Sequence, residues 1–293
     1  MDVTLRQMRY AIALAESGHF GRAAERSFVS QPALSQQIRQ LEAAAGQPLF
    51  DRPGATLTPF GREFVERARR IVEDADALAA FAAGQAGRPS KPLRFGLIPT
   101  VAPYLLPEMF PALTSELPDV TFAVSENRTG ALLAALADGS LDLALIATEP
   151  EPGGPALTVA PLFSDDFVLA TARGDASNEP VALAAVDTSR MLLLDEGHCF
   201  RDQALAACGL SAYRTKTFAA TSLSTIVEFV ANGQGITLLP EIALKKETAG
   251  DRIHIHRLAS PGAGRMLSLV WREATPFVEL FEEIAAVIRA AHS

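Results

Sequence analysis

The stretch from Thr58 to Ala82 constrains this chain most. Thr58 followed by Pro59 is a cap-plus-proline helix start. Behind it Phe60, Phe64, Ala68, Ile71, Ala75, Leu78 and Ala82 recur every three or four residues. That stepping predicts one helix of about 25 residues, roughly 37 Å long. Its apolar seam is thin and its other faces are charged, the pattern of a surface that pairs with a partner helix. A helix packed on its own domain shares the period, but the small residues favour a partner. Such a helix cuts the chain into a short head and a long body, in keeping with about two domains for 293 residues.

Hydrophobic residues make up 48% of the chain, enough for a true core and too many for a disordered one. Two cysteines cannot form the disulfide framework of a small secreted protein. The first residues, Met1-Asp2-Val3-Thr4-Leu5-Arg6, carry no charged leader before a long apolar run. Apolar stretches elsewhere are cut well before the ~20 residues that span a bilayer. The expectation is a soluble, cytoplasmic protein with no membrane partner, in a compartment that keeps thiols reduced. Charge is uneven: 12 basic and 10 acidic residues precede position 92, and 14 basic and 24 acidic follow. A mildly basic head on an acidic body is compatible with nucleic acid at the head.

Within the head, Leu5, Met8, Ile12 and Ala15 predict a first helix ended by Gly18, and residues 19–26 a short second one. Ser30 caps a third, with Pro32 in its first turn. Leu34, Ile38, Leu41 and Ala45 make its buried stripe, and Pro32, Gln36, Arg39 and Gln40 its outer face, until Gly46. A third helix with a polar face is what a helix-turn-helix inserts into the major groove, where Gln pairs with adenine and Arg with guanine. Periodicity alone leaves this open, since many three-helix units bind nothing.

Past a Gly- and Pro-rich hinge at 84–91, short apolar strands alternate with helices. Strands are predicted at 93–98, 120–124 and 141–146, with helices at 105–117, interrupted by prolines, and 130–136. Further strands at 167–170, 191–194 and 235–239 supply a second set. The rhythm predicts a mainly parallel α/β sheet in two lobes with a ligand cleft between them. Thr100, just past the first strand, and Thr129, at a helix start, fall where cleft residues are expected, although either is also an ordinary cap or turn residue. There is no GxGxxG, P-loop or zinc-ligand spacing, so neither a cofactor nor a metal is expected, and His254 and His256 read as ordinary strand residues.

Cys199 and Cys208 sit at the two ends of a Gln-Ala-Leu-Ala-Ala stretch of helical composition. On one continuous helix nine positions give ~13.5 Å of rise, whereas a disulfide needs Cα atoms within about 7 Å. The thiols therefore join only if the segment unwinds, which makes oxidation and the reduced fold locally exclusive. His198, a helix N-terminus and a nearby arginine are each able to lower the Cys199 pKa. From these residues alone, a redox pair and two ordinary buried thiols both remain open.

Residues 23–52, from Ala23-Ala24-Glu25-Arg26 through Val29-Ser30-Gln31-Pro32-Ala33-Leu34-Ser35-Gln36 to Leu49-Phe50-Asp51-Arg52, resemble the winged helix-turn-helix of LysR-type transcriptional regulators. Gly233-Gln234-Gly235-Ile236-Thr237-Leu238-Leu239-Pro240 extends the resemblance across the body. Gly197-His198-Cys199-Phe200-Arg201-Asp202-Gln203, a second Cys at 208, and residues 96–107 narrow it to the peroxide-sensing members. The resemblance implies a winged head (1–57), a linker and dimerisation helix (58–83), the hinge (84–91), and a two-lobed regulatory domain of periplasmic-binding-protein type (92–293). Lobe I would take about 92–162 and 267–293, and lobe II about 163–266.

By the same resemblance Gln31, Pro32, Ser35, Gln36 and Arg39 would meet promoter DNA, and Arg52 on the wing would reach phosphate or the minor groove. Cys199 would be the peroxidatic thiol and Cys208 the resolving one. Thr100, Thr129, His198 and Arg265 would form the hydrogen peroxide pocket, with Asp202 a weaker candidate. Implied partners are RNA polymerase, a glutaredoxin or thioredoxin, and further copies of the chain as a dimer of dimers. Phe200 stands where these proteins often carry leucine, which bears on reaction rate and not on mechanism. Two other readings stand beside this one: a regulator answering a small organic inducer, and a thiol peroxidase.

Overall fold

Side-chain caps set the first three helices. In the computed structural model, Thr4 and Gln7 exchange hydrogen bonds as a capping box at the start of α1 (Leu5–Ser17). His19 accepts from Gly21 N at the start of α2 (Phe20–Arg26). Ser30 caps α3 (Gln31–Ala45), with proline in its first turn, and Gly46 ends it in the left-handed region. Strands β1 (Phe50–Asp51) and β2 (Thr56–Leu57) pair antiparallel as a small wing. Leu14, Leu34, Ile38, Leu41 and Leu49 form the core of this unit. The structure describes residues 3–51, 54–82, 89, 91–151, 153–175, 180–209, 220–259 and 263–292, with the side chains of 77 and 80–82 excepted. Arg52 and most of the predicted hinge lie outside them.

The seam helix, α4 (Pro59–Ala82), is 24 residues long. Its apolar stripe divides into two parts that sequence did not separate. Phe60, Phe64 and Val65 pack into the core of the head, while Arg69 and Asp76 pair with Glu16 and Arg9 of α1. Ile71 and Leu78 stay 46% and 68% exposed, so only the later seam is left for a partner.

In the second unit β3 (Leu93–Leu97), α5 (Ala102–Glu116), β4 (Phe122–Glu126), α6 (Thr129–Ala137) and β5 (Leu143–Ile146) alternate, and β3 pairs parallel with both β4 and β5. Pro107 and Pro111 do not interrupt α5. They lie four apart on its exposed face, where water is able to serve the carbonyls that a proline leaves unpaired. There follow β6 (Leu157–Ala172), α7 (Cys199–Ala207), α8 (Leu223–Ala231), β7 (Thr237–Pro240), α9 (Leu244–Glu247), β8 (Ile253–Arg257), β9 (Gly264–Arg272) and α10 (Val278–His292).

The sheet runs β4-β3-β5-β9-β6-β7, with β8 also on β6. Every pair beyond β5 is antiparallel, which corrects the expectation of a mainly parallel sheet. Strand direction leaves no trace in hydrophobic period, and β6 is a single 16-residue strand, bulged at Pro161/Phe163, that serves both lobes. Residues 191–194 make only isolated bridges. Two cores result, one from residues 93–162 and 267–288 and one from residues 167–253.

Candidate functional site

Three chain segments meet at a small, partly open pocket lined by residues 98–100, 128–129 and 197–199. The first leaves β3, the second opens α6 and the third opens α7. Two helix N-termini therefore face one space, each with unpaired amides and a positive dipole end. Cys199 is the first residue of α7, and His198 is its N-cap without a side-chain cap bond.

Thr100 is only 3% exposed and is held from behind. Arg265 donates from Nη1 to Thr100 Oγ1 at 2.8 Å and from Nη2 to the Thr100 carbonyl at 3.0 Å. Its Nε donates to Asp165 Oδ2 at 2.9 Å, with both side chains fully buried. Asp165 and Arg265 are direct cross-strand neighbours on β6 and β9, and Asp165 Oδ1 also accepts from Ile242 N. Burial pushes the Asp165 carboxyl up from its ordinary value, against the opposing effects of Arg265 and the Ile242 amide. The guanidinium also stands 5.3 Å from the Phe200 ring, beside Cys199 in sequence. Arg265 thus reaches the pocket through Thr100 and is not among its lining residues. Because Thr100 Oγ1 already accepts from Arg265, its own hydrogen is free to donate elsewhere.

Thr129 Oγ1 is buried and has no hydrogen-bond partner among the described residues. Such a group is rare unless a ligand or water completes it. His198 is 6% exposed. Burial holds its pKa below the ordinary value, Arg128 adds to the effect and Asp195 opposes it. This lowering favours the uncharged ring. The lining residue that carries positive charge is Arg128, which sequence reasoning missed although it precedes Thr129. Gly197 makes room for it: its φ is +88°, and a Cβ there would lie 2.9 Å from an Arg128 Nη atom.

The two thiols are free and half-buried. Cys199 packs against the first core and Cys208 against the second. Burial raises the Cys208 pKa. Cys208 is the C-cap of α7, so one unbroken helix separates the pair. Asp202 is exposed and lies outside the pocket. Two other side chains of the same run hold α7 in place. Gln203 Nε2 donates to the Ala147 carbonyl at 2.6 Å, and Arg201 donates to the Leu194 carbonyl at 2.9 Å. His256 is buried and bonded to Thr171. No helix among the described residues is long and apolar enough to cross a membrane.

In the head, Gln31, Pro32, Gln36 and Arg39 are exposed on α3 and Ser35 is half-buried. Residues 5–62 match the bacterial regulatory helix-turn-helix protein model of the lysR family, and residues 86–292 match the LysR substrate binding domain.

The chain belongs to the LysR family of transcriptional regulators.

Among LysR-family relatives, it is 40% identical to a probable hydrogen peroxide-inducible genes activator of Mycobacterium avium, over 97% of this chain and 93% of that one. It is 38% identical to the DNA-binding transcriptional dual regulator OxyR of Escherichia coli K12, over 98% and 95%. Full-length OxyR from Pseudomonas aeruginosa, solved as a Cys-to-Asp variant, superposes with a TM-score of 0.87 at 33% identity, covering 99% of this chain and 95% of that one. A hydrogen peroxide-bound OxyR mutant of Corynebacterium glutamicum gives 0.66 at 33% identity, covering 100% and 95%.

Proposed function

We propose that this protein is a peroxide-responsive transcriptional regulator whose trigger is Cys199. The carrying observation is a thiol at the start of α7, in a small pocket with a buried, unpartnered Thr129 hydroxyl, and a second thiol at the helix's far end. Cys199 opens α7, and Arg128 lines the same pocket. Thr100 and Thr129 orient the peroxide by hydrogen bonds, His198 offers a further one, and Arg265 positions Thr100.

The thiolate attacks one peroxide oxygen. An S–O bond forms, the O–O bond breaks, and hydroxide leaves after taking up a proton as water. Sulfur is oxidised by two electrons to sulfenic acid. The Cys208 sulfur then attacks that sulfur, forming the S–S bond and breaking the S–O bond, and the Cys208 thiol proton leaves with the hydroxyl as water. Since α7 keeps the Cα atoms ~13.5 Å apart, this second step requires α7 to unwind. A dithiol reductant such as glutaredoxin or thioredoxin resets the pair by disulfide exchange.

The heads bind promoter DNA through Gln31, Pro32, Ser35, Gln36 and Arg39, with Arg52 at the wing. Copies pair through the later seam of α4, as a dimer of dimers, in the cytoplasm, and the rearranged body alters contact with RNA polymerase. The enclosed space of the pocket is about 10 Å³, room for a water-sized molecule, which weighs against an organic inducer. A regulatory role without catalytic turnover predicts about one peroxide consumed per subunit, where a thiol peroxidase would consume many. The test is mass spectrometry of the reduced protein after one equivalent of peroxide. A Cys199–Cys208 disulfide is expected, and its absence, with Cys199 unmodified, would sink the reading.

A further inference from the structure

Phe28 is 96% exposed, whereas the other exposed large hydrophobic side chains among the described residues lie between 37% and 68%. It also has φ +54°, in the left-handed region that L side chains rarely adopt. Its N–H donates to Glu25 O and the next amide, of Val29, to Ala24 O, so this residue closes the end of α2. Glycine or asparagine is the usual choice for such a closure. Neither backbone conformation nor packing within the head therefore accounts for an aromatic ring here.

The position does. Phe28 lies in the turn of the helix-turn-helix, three residues before Gln31, the first residue of α3. In this motif the N-terminal end of the second helix meets base edges. Gln31, Pro32, Gln36 and Arg39 form the exposed side of α3, and the Ser30 cap keeps the turn in fixed relation to them. Phenylalanine offers no hydrogen bond, and the apolar feature of the major-groove base edges is the thymine 5-methyl group.

We propose that Phe28 is a DNA-contacting residue that extends the α3 surface and reads a thymine methyl at the edge of the half-site. This rests on the DNA-binding role of the head.

The experiment uses the full reduced chain and a duplex that the wild-type protein selects from a random-sequence pool. Phe28→Gly is expected to weaken binding to that duplex roughly tenfold, the scale of one mismatched base pair. The slope of affinity against salt should stay unchanged, because no phosphate contact is lost. Glycine suits the left-handed backbone, so the melting temperature of the free protein should hold or rise. Phe28→Leu, which keeps an apolar side chain, should lose less affinity. Replacing the contacted thymine by deoxyuridine should weaken the wild type and leave Phe28→Gly unaffected. Equal binding by Phe28→Gly and wild type, a wild type indifferent to every such replacement, or a changed subunit association would each overturn the proposal. A wild type that selects no sequence would instead remove the DNA-binding role beneath it.

Discussion

Cys199 begins α7 and Cys208 caps its end, so the distance between the two thiols is set by the helix that joins them. Each packs on a different core, the first on residues 93–162 and 267–288 and the second on residues 167–253. Oxidation therefore has to undo α7 before it can join its ends. Amide hydrogen exchange should report this directly. Peroxide-treated wild type is expected to lose protection over 199–207, while Cys208→Ser, which stops at the sulfenic acid, should keep it. Retained protection in a sample carrying the full disulfide would refute the unwinding step.

Thr129 separates function from stability. Its buried hydroxyl has no partner in the described structure, so Thr129→Val removes a polar group without breaking a bond. The melting temperature of the reduced protein should hold or rise, because an unpaired buried polar group costs about 1–3 kcal/mol. Peroxide oxidation of Cys199, followed by stopped-flow thiol trapping, should slow by roughly tenfold, on the scale of one lost hydrogen bond of about 1.4 kcal/mol. A large loss of stability would mean that the hydroxyl has an internal partner after all.

Asp165 should act through Arg265. Asp165→Ala leaves a buried guanidinium without its carboxylate, a change that typically costs about 3–5 kcal/mol. Chemical denaturation of the reduced protein measures it. Thr100 loses its fixed donor as well, so Cys199 oxidation should slow in the fraction that remains folded. A variant as stable as wild type would show that the pair is not the constraint its geometry describes.

The pH dependence follows from His198. Its folded pKa is depressed by burial and by Arg128, below the ordinary 6.5. The neutral ring therefore contributes stability above pH 6.5, and that contribution is lost as pH falls below 6.5 toward the folded value. NMR titration of the reduced protein should place His198 below 6.5, and Arg128→Ala should move it upward. A wild-type ring that titrates at or above its ordinary value would contradict the burial described.

The two-lobed α/β body and the winged head were legible because their signals are local. Ser30 with Pro32, Thr58 with Pro59 and the spacing of Leu34, Ile38 and Leu41 each mark a start, a stop or a buried face. What escaped is what only packing decides. The seam of α4 reads as one stripe from Phe60 to Ala82, yet its first half is consumed by the head core. The adjacent acids Asp165 and Asp166 do not announce which one points inward; the register that sets Asp165 opposite Arg265 does. The downward shift of His198 comes from burial and from Arg128, and both are set by packing.

The helical separation of the thiols also has an electrochemical reading. If forming the disulfide dissolves α7, the free energy of α7 enters the reduction potential of the pair. Ala206 is exposed on that helix. Ala206→Gly would weaken the helix by about 1 kcal/mol, which for a two-electron couple is about 20 mV. Because the reduced state bears that loss, the potential should become more negative. The oxidant threshold of such a sensor can then drift through substitutions that touch neither peroxide nor DNA.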